Sequence, residues 1–144
     1  MKVMETKLFQ SGNVSFEYID TWELEKADTF SNPDCIATLS KGETNLLNVV
    51  AFPTETNLDS YKEFMEKCIV DDGGVILSSE FIQIASMDAI KLHGNIKTPD
   101  ITFDIHTYVF IEDGNIYIFE LRTVDYSSEV INEYANLIES FKLE

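Results

Sequence analysis

Two histidines and one aspartate in the second half of the chain are the residues best placed to do chemistry. The strand-like segments on either side of Pro99 can pair as an antiparallel hairpin, which puts His93 opposite His106. Asp104 lies two residues before His106 and therefore points to the same face of its strand. Two imidazoles and a carboxylate on one face suit a divalent metal ion or an acid–base pair.

The same register predicts that Asn95 faces Asp104, which makes the pairing chemically sensible. The alternative interpretation is that both histidines are ordinary polar residues near the end of a sheet. A slip of one residue in the register would move one histidine to the opposite face. The sequence therefore predicts a metal site at His93, His106 and Asp104. The alternative, that both histidines are ordinary polar strand residues, stays open.

No other motif in the chain points to catalysis. The phosphate-binding G-x-x-x-x-G-K-[ST] loop, the G-x-S-x-G elbow, H-E-x-x-H and C-x-x-C are all absent. The pair Gly73-Gly74 ends a predicted helix, whereas a phosphate site needs glycines that open one. With 26 acidic residues, some carboxylates would meet at catalytic distance by chance. We therefore predict no enzymatic activity, no catalytic residue and no cofactor.

The charge balance limits the classes of partner. The chain has 26 acidic and 10 basic residues, which give a formal net charge of −16. Such a field repels phosphate backbones and anionic membrane surfaces, so we expect neither a nucleic acid nor a membrane as partner. It favours solubility, basic partners or cations. No apolar stretch approaches the roughly 18 residues that a membrane span requires.

The cysteines and the first residues bear on the compartment. Cys35 lies in a predicted strand and Cys68 on the apolar side of a predicted helix, so both are expected to be buried free thiols. Residues 1–7 lack the apolar run of a secretory signal. We therefore expect a cytoplasmic protein. A length of 144 residues without repeats or linkers predicts one domain over residues 1–144.

Turn signals predict a protein built mainly from hairpins. Gly12-Asn13 and Asp113-Gly114 are two-residue turns. The first should place Phe9 opposite Phe16, and the second should place Tyr108 opposite Phe119. That ladder is apolar on both faces, as in a sheet covered on both sides. The predicted strands are 7–10, 14–19, 21–26, 35–40, 45–52, 75–85, 88–97, 101–112 and the segment after Gly114.

Helical periodicity appears in two places. Thr56 or Asn57 can cap the first helix, whose apolar face contains Tyr61 and Cys68. The second begins near Ser127 and carries an apolar stripe of Val130, Tyr134, Leu137 and Phe141. We predict an α+β protein, an α/β/α sandwich with one helix on each face of a central antiparallel sheet of about six to seven strands. Little sheet surface should then stay open, which favours sheet ends and loops as functional sites.

The two ends of the chain resemble the PsbP-like family. Residues 16–22, FEYIDTW, are similar to its opening strand that runs into a Trp, with Ile19 in place of the usual Pro. Residues 136–142, NLIESFK, are similar to its closing helix with a Ser-Phe pair. The fold is shared by the photosystem extrinsic subunit PsbP and a nuclear Ran-binding protein. The resemblance implies a non-enzymatic domain, and no family role transfers residue by residue.

The sequence thus favours a non-enzymatic binding module that docks a protein partner through residues still unknown, with acidic residues steering the encounter. The alternative is a small-ligand or divalent-metal-binding domain that uses His93 and His106. Trp22 and its aromatic neighbours form either an exposed patch or, as favoured here, part of the core. Arg122 either binds an anion or pairs with Glu120 on its own strand face.

Overall fold

The computed structural model describes residues 5–25, 27, 32–125 and 127–144. Hydrogen-bonded ladders and two helical segments account for most of these residues. The elements are β1 (Thr6–Ser11), β2 (Val14–Ile19), β3 (Glu23–Glu25), β4 (Cys35–Lys41), β5 (Asn45–Pro53), α1 (Leu58–Asp71), β6 (Val75–Ile84), β7 (Met87–Lys97), β8 (Thr102–Glu112), β9 (Asn115–Thr123), α2 (Ser128–Glu139) and β10 (Lys142–Leu143). Lys26, the last residue of the strand predicted over 21–26, lies outside the described residues.

The central sheet has seven antiparallel strands in the order β3-β4-β5-β9-β8-β7-β6. This confirms the predicted α+β class and the size of the sheet. The first hairpin does not join it. Strand β2 pairs with β1 on one side and with β10 on the other, in a separate sheet of three strands. This small sheet packs on the central one through Phe16, whose ring centroid lies 5.8 Å from that of Phe119.

The predicted hairpin registers are confirmed at both tight turns. Across the Gly12-Asn13 turn Phe9 pairs with Phe16, and across the Asp113-Gly114 turn Tyr108 pairs with Phe119. Asp113 and Gly114 both adopt positive φ, 49° and 77°, as a type I′ turn requires. Local turn chemistry therefore sets the register between β8 and β9.

The two helices cover opposite faces of the central sheet, as predicted. Helix α2 buries Tyr134 and Leu137 in a core that includes Phe110 and Phe119. Helix α1 packs on the other face, against a smaller cluster around Val109. Because side chains alternate along a strand, neighbouring residues of β8 and β9 serve these two cores in turn. This alternation explains why both strands are apolar on both sides.

Helix α1 covers only part of its face. It contacts mainly β6, β7 and β8, and it leaves β5 and β9 partly open beside a cleft. The expectation that little sheet surface stays open is therefore wrong on this side. Cys68 also differs from its prediction: it lies on α1 but is exposed, whereas Cys35 is buried as expected. The N-cap of α1 is Asn57, whose Oδ1 accepts a hydrogen bond from the backbone N–H of Ser60 at 2.8 Å.

A buried polar contact ties α2 to the rest of the core. The carboxylate of Glu133 accepts a hydrogen bond from Trp22 Nε1 at 3.2 Å and lies 2.6 Å from Lys41 Nζ. Only 7% of the Glu133 side chain is exposed. Burying a carboxylate is unfavourable unless it is paired, so Lys41 and Trp22 offset that penalty. The contact joins β4, α2 and the turn before β3, which lie far apart in the sequence.

We predict that Lys41→Met lowers the free energy of unfolding by roughly 3 kcal/mol, because it leaves the buried Glu133 carboxylate without its cation. The matched control is Lys62→Met. Lys62 pairs at 3.1 Å with Glu66, whose side chain is 30% exposed, so this loss should stay below about 1 kcal/mol. Urea unfolding followed by the fluorescence of Trp22 measures the free energy of unfolding of both variants. Equal losses would contradict the stabilising role of Lys41 beside the buried Glu133 carboxylate.

Candidate functional site

The histidines of β7 and β8 meet as the sequence predicts. His93 pairs directly with His106 across the ladder. Their rings stack with centroids 4.1 Å apart and an interplanar angle of 17°. Directly opposed side chains on antiparallel strands lie close enough for such contact. The register prediction is therefore confirmed.

Asp104 completes the cluster on the same face of the sheet. Its Oδ1 lies 3.5 Å from His93 Nε2 and accepts a hydrogen bond from Asn95 Nδ2 at 3.0 Å. One donor atom from each of His93, Asp104 and His106 can be chosen so that all lie within 4.8 Å of one another. The side chains of His93 and Asp104 are 26% and 20% exposed. The structure thus brings all three residues together in a partly buried position.

Both imidazoles carry an unsatisfied nitrogen. Nε2 of His93 and Nε2 of His106 are buried, and neither has a hydrogen-bond partner among the described residues. A buried polar atom is nearly always satisfied by protein, an ordered water or an ion, so two orphaned atoms side by side need an explanation. Both atoms can act as metal donors when the imidazole is neutral.

Burial keeps one of these rings neutral. The pKa of His106 is lowered from 6.5 to about 4, first by burial and then by the neighbouring His93, while Asp104 opposes the shift and Lys91 adds to it. His106 is therefore uncharged at neutral pH. A metal ion that binds there would displace no proton from this ring.

Helix α2 holds the β8 backbone at the site in place. The buried hydroxyl of Tyr134 reaches the carbonyl oxygen of His106 at 3.0 Å and that of Phe119 at 2.9 Å. Burial raises the pKa of Tyr134 well above its usual value, so this hydroxyl remains a donor. The position of His106 in the ladder is thereby fixed from the helix as well as from the turns.

The other nominated residues have structural roles. Trp22, Tyr18 and Phe16 are buried in the core, so they form no exposed aromatic patch. Arg122 lies 3.4 Å from Glu120, which confirms the predicted pairing on β9. Its guanidinium also lies 5.5 Å from the centre of the Phe103 ring.

Sequence reasoning missed the cleft between α1 and the open half of the sheet. It lies on the face opposite His93 and His106 and has a volume of about 370 Å³. The sequences of β5 and β9 contain a signal for this cleft. Asn48 and Glu120 interrupt otherwise apolar positions of β5 and β9, and they pair directly with one another. A polar row within an apolar face indicates that helix α1 does not cover it.

Among the described residues, no helix is both long and apolar enough to cross a membrane. No family profile matches the sequence, and no curated protein matches it either.

Several solved structures share the fold. Cyanobacterial PsbP (CyanoP) from Synechocystis superposes with a TM-score of 0.74 at 12% identity, over 99% of this chain and 95% of that one. LpqN of Mycobacterium tuberculosis, described as involved in cell envelope biogenesis, gives 0.56 at 12% identity, over 98% and 92%. A Bacteroides thetaiotaomicron protein gives 0.68 at 12% identity over 96% of this chain, which spans 48% of its length. The chain has a PsbP-like fold, and likenesses at this identity show the fold alone.

We predict that the metal-free protein loses stability as the pH falls from about 6.5 to about 4, in part through His106. The pKa of His106 is lower in the folded than in the unfolded state, so the unfolded chain takes up the proton first. The shift sets an upper limit of roughly 3 kcal/mol on this contribution.

His106→Gln removes that titration, so the difference in stability between wild type and variant should change over this pH range. Urea unfolding in the presence of EDTA at several pH values measures it. The protein has only two histidines, so imidazole NMR signals give the titration directly. Parallel stability curves from pH 7 to 4 would contradict the prediction.

Proposed function

We propose that this chain is a non-catalytic binding module that holds a divalent metal ion at His93, His106 and Asp104. The observation that carries the proposal is the pair of buried Nε2 atoms without hydrogen-bond partners beside a carboxylate. Imidazole and carboxylate donors in this combination suit Zn²⁺ and similar ions of the first transition row. The net charge of −16 also raises the local concentration of cations.

Metal binding requires a modest rearrangement of the cluster. Zn–N distances of about 2.0–2.1 Å bring tetrahedral donor atoms to roughly 3.4 Å from one another. The present limit of 4.8 Å is wider, and stacked rings cannot both point a nitrogen at one ion without rotating. Under this proposal, binding rotates the side chains of His93 and His106 so that one nitrogen of each points at the ion. Asn95 would remain as the hydrogen-bond donor that orients Asp104.

Three protein donors leave the remaining coordination position to water or to a group from a ligand or partner. The proposal is therefore of a binding role, with no catalytic base or nucleophile assigned. The absence of enzymatic activity and the cytoplasmic location both stay predictions from the sequence, and so does one domain over residues 1–144.

A protein partner is the second candidate function, and the edge strand β6 favours it. This ten-residue strand ends the central sheet, and among the described residues no strand pairs with its outer side. Val75, Leu77 and Phe81 of this strand are each more than half exposed. Natural edges are usually protected by charges or by short length, as in the three-residue β3 with its two glutamates. Strand β6 has a single charged residue, Glu80. We therefore propose this strand as the docking edge for an extended segment of a partner.

We predict that the EDTA-stripped protein binds one Zn²⁺ in isothermal calorimetry and that replacing His93 and His106 together by Gln abolishes this binding. The single change Asp104→Asn should weaken it by at least roughly tenfold, since it removes one charged donor and even the residues that only orient a metal ligand contribute that much. The matched control is Glu23→Gln, which also removes one carboxylate but from the exposed strand β3.

Zinc affinity should be unchanged in Glu23→Gln. Equal affinity in wild type and in the double histidine variant would show that zinc binds only to the general acidic surface, and it would overturn the metal proposal.

We predict that Leu77→Lys combined with Phe81→Lys removes the capture of a specific partner from native lysate, because two ammonium groups on an edge strand oppose added pairing. Leu8→Lys is the control: Leu8 is 63% exposed but lies on the small sheet. Quantitative mass spectrometry compares the captured proteins. The docking proposal fails if wild type captures nothing specific, or if the double variant captures the same proteins.

A further inference from the structure

The cleft beside α1 is a concave site that is independent of the histidine cluster. The two sites lie on opposite faces of β7. Leu92 lines the cleft, and its neighbour His93 faces the other way. The cleft volume of about 370 Å³ lies within the roughly 300–1,000 Å³ typical of small-molecule sites. Most of its wall is apolar, with Val50 and Ile118 from the open strands facing Met65 from the helix.

Among the residues that the structure describes, three charged ones line the cleft: Asp72, Glu120 and Arg122. The single cation is already engaged, because Arg122 lies 3.4 Å from Glu120 Oε1 and 5.5 Å from the centre of the Phe103 ring. Its side chain is also 51% exposed, which weakens any pairing with a further anion. These described lining residues therefore carry one net negative charge, on a protein of net charge −16.

The Glu120 carboxylate acts on the cleft from its polar wall. The pKa of Tyr61, which lines the cleft from α1, is raised first by burial, then by Cys68 and Glu120. Thr107 lies beside Glu120 in the ladder and lines the same space. A hydroxyl and a carboxylate on this wall are acceptors for an N–H donor, and the aromatic rings of Tyr61 and Phe64 favour a cation near their faces.

We propose that this cleft binds a small amphipathic cation, a molecule with an apolar body and a protonated amine. The apolar body lies between Met65 and Ile118, and the ammonium group lies at Glu120 and Thr107. An anionic amphiphile of the same length is disfavoured, because the carboxylates of Glu120 and Asp72 would repel it. The guanidinium of Arg122, which already pairs with Glu120, would offset this repulsion only in part. The sign of the ligand charge is thus the discriminating property.

The test compares decylamine with decanoate, two probes of equal chain length and opposite charge, at pH 7 and below their micelle concentrations. The protein carries ¹³C-methyl methionine, so Met65 reports from the cleft. Met87, which packs in the core on the opposite side of the sheet, serves as the internal control. We expect a saturable shift of the Met65 methyl signal with decylamine, an unchanged Met87 signal, and a Kd at least about fivefold lower than for decanoate.

Two variants locate the interaction. Glu120→Gln should abolish or reverse the preference for the amine, because it removes the carboxylate and frees Arg122, whereas Glu23→Gln on the distant strand β3 should keep the preference. Val50→Trp fills the cleft and should weaken both probes. Equal affinities of the two probes for wild type, tighter binding of decanoate, or equal shifts at Met65 and Met87 would each overturn the proposal. These three outcomes are measured on the wild-type protein, so they test the proposal even if a variant fails to fold.

Discussion

The register of the ladder between β7 and β8 is the constraint on which the rest of the structure depends. Side chains alternate between the two faces at every residue, so the pairing of His93 with His106 also fixes that of Leu92 with Thr107 on the other face. The first pair forms the proposed metal site, and the second lines the cleft beside α1. A slip of one residue would exchange the faces and remove both arrangements together.

Contacts from both helices support this register. On one face, the Tyr134 hydroxyl of α2 bonds to the carbonyl oxygens of β8 and β9. On the other face, Gly94 lets α1 approach β7 closely: a Cβ at this position would lie 3.2 Å from Ile69 Cδ1. Because α1 sits directly on β7, it cannot also cover β5 and β9, and the cleft is the space that remains. The same close approach that stabilises the helix therefore creates the cleft.

The sequence predicts most of the local geometry and the order of the layers, but not how individual elements dock. The Asp113-Gly114 turn and the alternation around it fixed the pairing of β8 with β9, and the loop at Pro99 gave the histidine pair, because tight turns leave few registers. The separate small sheet, the partial cover by α1 and the exposure of Cys68 depend on where elements dock, which no local pattern encodes. The contact between Lys41 and Glu133 is equally invisible, since it joins residues far apart in the chain.

The histidine pair is unfavourable for the folded protein unless something satisfies it. Each buried nitrogen without a partner costs about 1–3 kcal/mol relative to its hydration in the unfolded chain, and stacking between the rings at 4.1 Å returns only part of that. Apolar side chains in the same two positions would pack without this penalty. Under the proposed function a bound cation turns the penalty into a gain, since binding to the folded state alone adds stability in proportion to RT ln(1 + [L]/Kd). Under this proposal, the cross-strand pair destabilises the folded protein without the metal ion and stabilises it with the ion. The stability of the sheet itself then depends on the ion.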